Sequence, residues 1–193
     1  MKSKSYLYFL LFIASITSFS CRPILNVYYG IKQPSNKSED DLLKYLKRKS
    51  INDDNIFYLK DTVAFKEVMA TQRTIPEIEV YNKEGYFIPY KDTGFCSAPG
   101  YVYLRSICDN VKKDPVMTRH ISERTKQIIP CKNNKVFEGY QPGDYDYTVI
   151  LLWATYTGRL NKDHVRVWEE SIQQAKGCKV RVFKVSEDVM EIW

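Results

Sequence analysis

The clearest hydrophobic pattern in the chain lies near its C-terminus. Residues 148–153 form an apolar run, which is typical of a strand covered on both faces in a parallel sheet. Apolar residues then recur at helical spacing up to Gly177, and residues 179–185 return to a strand pattern. This order predicts a βαβ unit over residues 147–193, whose two strands are parallel if the crossover is right-handed.

A similar order of elements is predicted in the N-terminal half. The apolar and aromatic residues 24–29 predict a first strand. A helix is predicted to begin after Ser38, because Asp41 follows at capping-box spacing. A second strand is predicted over residues 56–59, and a short helix is predicted to begin at Thr62.

Two alternating segments around a glycine turn follow. Pro76 precedes the first segment, and Gly85 ends the turn between them. This pattern predicts a β-hairpin. With the elements before it, the hairpin makes residues 21–92 a predicted βαβαββ region.

Residues 93–146 differ in character, because four prolines divide them and three cysteines fall among them. Two helices are predicted from two sets of residues at helical spacing: Leu104, Cys108 and Val111, and Met117, Ile121 and Ile128. The segment contains no low-complexity tether. It is therefore interpreted as a packed, cysteine-containing helical connector.

The N-terminus has the pattern of a secretory signal. Two lysines precede an apolar run over residues 6–16, which is too short to span a bilayer. Ser20 and Cys21 follow, and a small residue before a cysteine resembles the lipobox of bacterial lipoproteins. The resemblance implies that residues 1–20 are a signal peptide and that Cys21 is acylated. It also implies a membrane-anchored protein of the bacterial cell envelope, on the periplasmic side or at the cell surface.

The cysteine spacing does not indicate a redox motif, because the chain contains no Cys-x-x-Cys. In an oxidising compartment, the simplest expectation is one structural disulfide among Cys96, Cys108 and Cys131. The sequence leaves the pairing open. A second bridge would require Cys178 to approach the connector.

The charge balance is mildly basic. The chain carries 29 basic and 23 acidic residues, a net charge of +6, and loss of residues 1–20 would remove two lysines and leave +4. These charges are dispersed, so nucleic acid is not indicated as a partner. The basic residues Lys44, Lys47, Arg48 and Lys49 fall at a predicted helix end, where they would be solvated and would complement the helix dipole.

No cofactor or metal is indicated by the remaining motifs. His120 and His164 are the only histidines, and they are far apart in sequence. The chain has no glycine-rich phosphate loop and no Gly-x-Ser-x-Gly nucleophile motif. The easily recognised nucleotide-dependent and hydrolase mechanisms are therefore not predicted.

The octapeptide Trp-Ala-Thr-Tyr-Thr-Gly-Arg-Leu, residues 153–160, follows a predicted strand and opens a predicted helix. It resembles the site of thioredoxin-like proteins, especially membrane-tethered envelope ones, which reads Trp-Ala-x-Trp-Cys-x-x-Cys. Thr157 and Leu160 stand where that family has its cysteines. Neither side chain can form a mixed disulfide, so the resemblance implies this fold without its thiol chemistry.

The hairpin resembles the second half of a thioredoxin domain. In that family the peptide bond before the corresponding proline is cis, and backbone groups beside it hold extended peptide. The resemblance therefore implies a cis Ile75-Pro76 bond. It also implies a binding groove lined by Ile75, Pro76, Tyr156 and Thr157.

The resemblance implies an α/β fold: a thioredoxin-like mixed sheet flanked by helices, with the helical connector and the C-terminal βαβ unit. In one arrangement, residues 24–112 form a complete thioredoxin-like domain and the C-terminal unit adds to its sheet. This arrangement is favoured because the N-terminal elements already have the required order. In the other, the fold is permuted and the C-terminal unit supplies the central strand. The alternative active-site turn, residues 30–34, also lacks cysteine.

Most of the mature chain also resembles uncharacterised lipoproteins of Bacteroidetes-type bacteria, through its Tyr-Gly-Ile-Lys-x-Pro, Ile-Pro-Glu-Ile and Trp-Ala segments. The leading hypothesis is a non-catalytic, lipid-anchored envelope protein that serves as a peptide-binding, protein-binding or assembly module. The first alternative is a thiol-disulfide oxidoreductase that uses Cys96 and Cys131. The second is a purely structural surface lipoprotein.

Overall fold

A computed structural model describes residues 22–72, 74–91, 99–109, 114–132 and 142–193, so the signal segment, Cys21 and Cys96 lie outside the described residues. The helices are α1 Arg22–Tyr29, α2 Glu39–Lys49, α3 Thr62–Thr71, α4 Pro99–Arg105, α5 Ile121–Thr125, α6 Arg159–Asn161 and α7 Val167–Gln174; a π-helical turn, Lys162–Arg166, joins α6 to α7. The strands are β1 Ile56–Leu59, β2 Glu77–Asn82, β3 Tyr86–Ile88, β4 Val116–His120, β5 Ile128–Pro130, β6 Tyr147–Trp153 and β7 Val180–Ser186. Within the described ranges, no helix has both the length and the apolar character needed to cross a bilayer.

The strands form one mixed sheet in the order β4-β3-β2-β6-β7-β1-β5. The central strand β6 is parallel to β7, and β7 is parallel to β1, whereas the other neighbouring pairs are antiparallel. Residues 148–153 are all buried, as expected for a strand covered on both faces. The predicted βαβ unit is therefore confirmed, together with its parallel strands.

The C-terminal unit lies at the centre of the sheet. Strands β6 and β7 separate β2 from β1, so the two N-terminal strands do not pair with each other. The favoured arrangement, a complete N-terminal domain with an added C-terminal unit, is therefore wrong. The structure agrees with one part of the alternative, in which the C-terminal unit supplies the central strand. Strand β6 has seven residues and pairs with β2 on one side and β7 on the other, whereas β1 has only four.

The N-terminal segment is a helix where a strand was predicted. Residues 24–29 lie in α1, and Val27 and Tyr28 are exposed by 83% and 60% of their surface. A short apolar run is compatible with either helix or strand, and periodicity alone cannot separate the two. The βαβαββ order predicted for residues 21–92 therefore lacks its first strand.

The connector contributes both edge strands of the sheet, which the sequence did not predict. Met117 lies in β4, Ile121 begins α5, and Ile128 lies in β5, so these residues do not share one helix. Helical spacing was misleading here because three short elements happened to match it. Strand β5 ends at Pro130, which is tolerated because an edge strand needs hydrogen bonds on one side only.

Helices cover both faces of the sheet and form two hydrophobic cores. Helices α2, α4 and α7 pack on one face, where their buried side chains meet those of β6 such as Trp153. Helices α3 and α5 pack on the other face, against residues such as Phe183. Helix α2 begins with the predicted capping box, in which Asp41 and Ser38 bond each other's backbone N–H groups.

The disulfide differs from the expected pairing. Cys108, just after α4, is bonded to Cys178 beyond the end of α7, and their Cα atoms lie 5.4 Å apart. Cys131 is a free, buried cysteine. The βαβ unit brings Cys178 to the connector, a contact that residues 70 positions apart could not reveal through their spacing.

Candidate functional site

The parallel strands β6 and β7 end at one edge of the sheet, and the antiparallel strand β2 begins there. Glu77 pairs with Leu152, so the residues before β2 lie beside the turn after β6. The Ile75-Pro76 peptide bond is cis, as the resemblance implied. The edge therefore brings together the two parts of the predicted groove. Ile75 and Tyr156 are half-buried, whereas Pro76 and Thr157 are buried.

A buried polar network holds the turn after β6. The amide nitrogen of Asn161, a fully buried residue, donates 2.7 Å hydrogen bonds to the Tyr45 hydroxyl and to the Ala154 carbonyl. The Thr157 hydroxyl donates to the same carbonyl at 2.8 Å, and the Tyr45 hydroxyl donates to the Gly158 carbonyl at 2.8 Å. Thr157 thus stabilises the turn and does not cap the following helix. These bonds pair the buried side chains of Asn161 and Thr157 with the turn and with α2.

Residues 29–37, here called the covering segment, lie across this turn. The Lys32 backbone N–H donates to the Tyr156 carbonyl at 2.8 Å. Gly158 has a φ of +63°, and a Cβ atom at this position would lie 2.3 Å from the Tyr29 carbonyl oxygen. Only glycine allows both this backbone conformation and this close approach. At its far end the segment is held by Lys37, whose N–H donates to the Val189 carbonyl at 2.8 Å.

The covering segment, α2 and the turn line an open hollow of about 380 Å³. We call it the basic pocket, after the five cationic side chains that line it: Lys32, Lys37, Arg48, Lys49 and Arg159. No acidic residue of the described chain lines it. A second hollow of about 650 Å³ shares Lys37, Arg48, Tyr45 and Thr155 with it. A cluster of positive charge therefore adjoins the strand-end turn.

Two buried acids, Glu187 and Asp188, follow β7 beneath the same edge. Asp188 accepts hydrogen bonds from the backbone N–H and the hydroxyl of Thr155 at 2.8 and 2.6 Å. Burial raises the pKa of Asp188, although these bonds oppose the shift. Burial also raises the pKa of Glu187 well above its usual range. One Glu187 oxygen accepts from the Gln72 amide at 3.1 Å, and the other has no partner within the described ranges.

A second buried acid site lies on β2. Glu79 is ion-paired with Arg124 at 2.5 Å and with Arg119 at 3.2 Å, and it accepts from the Tyr81 hydroxyl at 2.8 Å. Burial by itself would raise the pKa of Glu79, but Arg124 and Arg119 outweigh burial and lower it. Nearby, Glu77 accepts from Tyr90 and Lys91. The cations at this site form ion pairs with Glu77 and Glu79, whereas no such ion pair is found in the basic pocket among the described residues.

Thiol and metal chemistry find little support at these sites. Burial, with the charge of Glu39, raises the pKa of the Cys131 thiol to about 12, so Cys131 is not an activated nucleophile. Cys108 and Cys178 are consumed in the disulfide. Among the residues with described positions, no group of three His, Cys, Asp or Glu residues could hold a metal ion. The edge of the sheet offers hydrogen-bonding groups and positive charge, which are properties of a binding site.

Comparison with models of protein families, with curated proteins and with solved structures found no match to this chain in any of the three.

The sequence did not identify Tyr45 and Asn161 as partners of the strand-end turn. Asn161 carried a usable signal, because a polar residue four positions after Thr157 on an inward helix face requires a partner. Tyr45 carried no such signal, because its hydrogen-bond partner Gly158 lies 113 residues away in the sequence. Lys37 and Arg159 were also missed as members of one site, because only folding brings them together.

Proposed function

We propose that this protein is a non-catalytic binding or assembly module with a permuted thioredoxin-like fold, anchored in the bacterial cell envelope by a lipid on Cys21. One observation carries the proposal: the cis Ile75-Pro76 bond adjoins a strand-to-helix turn that contains no cysteine. This juxtaposition supports a peptide-binding edge of the thioredoxin-like kind. The absence of a thiol in the turn argues against disulfide exchange there.

Tyr156 provides the direct test of peptide binding at this edge. Extended peptides on an array are probed with the wild-type chain and with Tyr156→Ala. Because Tyr156 lies on the turn, its truncation should weaken binding of the selected peptides by about tenfold, which corresponds to about 1.4 kcal/mol. The matched control is Tyr101→Ala, which removes a partly exposed tyrosine on α4. Equal binding by all three proteins would refute this placement of the groove.

Lipid anchoring is tested separately, by feeding an alkyne fatty acid to bacteria that express the full chain. Labelling should be lost in Cys21→Ser and retained in Cys131→Ser. If Cys21→Ser remains labelled and membrane-bound, the anchor proposal is wrong. The peptide-binding result does not depend on this outcome.

The alternative of a thiol-disulfide oxidoreductase makes the opposite prediction. Insulin reduction that depends on Cys96 or Cys131 would establish it. The burial and raised pKa of Cys131 weigh against this activity. We therefore expect no difference in insulin reduction between the wild-type chain and Cys131→Ser.

A further inference from the structure

The five cations of the basic pocket come from three separate parts of the chain. Lys32 and Lys37 belong to the covering segment, Arg48 and Lys49 to the last turn of α2, and Arg159 begins α6. Favourable interaction with the α2 dipole explains the two α2 residues. It does not explain the other three, which the fold brings to the same hollow.

The charge of the basic pocket is not neutralised within the described part of the chain. Every ion pair within the described residues is made by a cation outside the basic pocket. In these residues, none of the five pocket cations has a carboxylate oxygen within 4.0 Å. Like charges gathered around one hollow repel each other, which costs free energy. An anion bound among them would remove this cost.

Two acids that interact electrostatically with Lys37 are bonded to other partners. Asp41 lines the second hollow and accepts hydrogen bonds from the Ser38 backbone and hydroxyl at 3.2 and 2.9 Å. Asp188 is buried, and its oxygens accept from Thr155 and Ser186. Both acids reduce the positive potential near Lys37, but neither fills the pocket.

An aromatic wall positions part of the charge. The Arg48 and Lys49 side chains lie 6.0 and 5.7 Å from the centre of the Tyr45 ring. That ring stacks on Trp153 at 5.8 Å, and its hydroxyl is held by Asn161 and Gly158. The wall is fixed before any ligand arrives, so binding need not order it.

From this geometry we propose that the basic pocket binds the phosphate group of a phosphorylated ligand. Arginine donates paired N–H groups that match phosphate oxygens, and lysine adds compact positive charge. Arg48 and Arg159 supply the former, whereas Lys32, Lys37 and Lys49 supply the latter. Both hollows have volumes in the range of small-molecule sites, about 300–1,000 Å³.

The phosphate group has two possible sources: a free phosphorylated compound and a phospholipid headgroup. Helix α1 has eight residues, a length of about 12 Å, and it begins directly after Cys21 and ends at Tyr29, on the pocket wall. A lipid on Cys21 would therefore hold the pocket close to the membrane surface. The headgroup source rests on the proposed anchor, whereas anion binding by the pocket does not.

The test uses the full chain, purified in a non-ionic detergent, with pyrophosphate as the probe in titration calorimetry. We expect saturable binding with a Kd below about 1 mM in about 0.1 M salt. The double variant Lys37→Gln/Arg48→Gln, which changes both hollows, should weaken binding by more than about tenfold. The matched control Lys66→Gln/Lys126→Gln removes the same charge from exposed positions outside both hollows, and it should change Kd by less than about twofold.

The second arm adds phospholipid to the detergent micelles. Competition with pyrophosphate by phosphatidylglycerol, but not by phosphatidylcholine, would assign the pocket to anionic headgroups. Pyrophosphate binding without competition would assign it to a free phosphorylated compound. Absence of pyrophosphate binding, or equal weakening in the two double variants, would overturn the proposal. If Cys21 carries no lipid but pyrophosphate binding is retained, only the anchor proposal is overturned.

Discussion

Two glutamates are buried on the side of the sheet covered by α3 and α5, and their surroundings shift their pKa values in opposite directions. Glu79 meets two arginines and a tyrosine hydroxyl, and its pKa is lowered. Glu187 meets the Gln72 amide, and its pKa is raised well above the usual range. Burial is nearly the same, so the difference comes from the partners. The charged form of a buried acid is thus favoured where cations bond it directly, as Arg124 and Arg119 bond Glu79.

The largest effect is expected from removing the cation that pairs with Glu79. Arg124→Ala leaves a buried carboxylate without its closest partner and should lower the free energy of unfolding by about 3–5 kcal/mol. Urea denaturation at pH 7 measures the change. Arg119→Ala is the control, because 45% of the Arg119 side chain is exposed and its ion pair should contribute only about 0–1 kcal/mol. Equal losses in the two variants would contradict the assigned importance of Arg124.

A smaller effect is expected when the charge of Glu79 is removed. Glu79→Gln keeps the shape of the side chain but loses the ion pairs, so the free energy of unfolding at pH 7 should fall by about 1–3 kcal/mol. Because the folded-state pKa is lowered, Glu79 stabilises the fold above the unfolded value of about 4.5 and loses this effect as the pH falls. The difference between the variant and the wild type should therefore shrink in acid. A difference that does not change with pH would indicate a steric cause.

The smallest effect on the free energy of unfolding at low pH is expected for Glu187→Gln. The pKa of Glu187 is shifted in the opposite direction to that of Glu79. Since its folded-state pKa is raised, the folded state retains a proton that the unfolded state releases above about pH 4.5. As the pH rises, Glu187 should therefore lower the free energy of unfolding, by up to about 1.4 kcal/mol per pH unit. Glu187→Gln should leave stability near pH 4 unchanged within about 1 kcal/mol and remove that slope. Glu191→Gln, an exposed neighbour, is the control. An unchanged slope in Glu187→Gln would show that this carboxyl is already ionised when folded.

The prediction succeeded where a signal was local and strong. The apolar run of β6 and the helical pattern after it defined the βαβ unit, because a doubly covered strand requires apolar residues on both faces. The Ser38 capping box was also local, since its two partners lie three residues apart. The cis bond at Pro76 was implied by the resemblance, since local pattern alone favours the trans form.

The prediction failed where the sequence does not show which distant segments contact each other. Short segments of similar apolar character form a helix in α1 and edge strands in β4 and β5. The residues after Leu46 were interpreted as a solvated helix end, which describes their helix position correctly. Their participation in the basic pocket depends on Lys37 and Arg159, and no pattern within α2 could reveal that.

The sequence by itself determined the elements with a strong period, the thiol-free turn and the cation-rich end of α2, because each depends on residues within a few positions of one another. The tertiary structure alone decided that β6 is central, that Cys108 pairs with Cys178, and that cations from three segments surround one hollow. These features depend on which distant surfaces bury each other. Burial is non-directional, so local patterns indicate that a residue needs a partner without specifying which one.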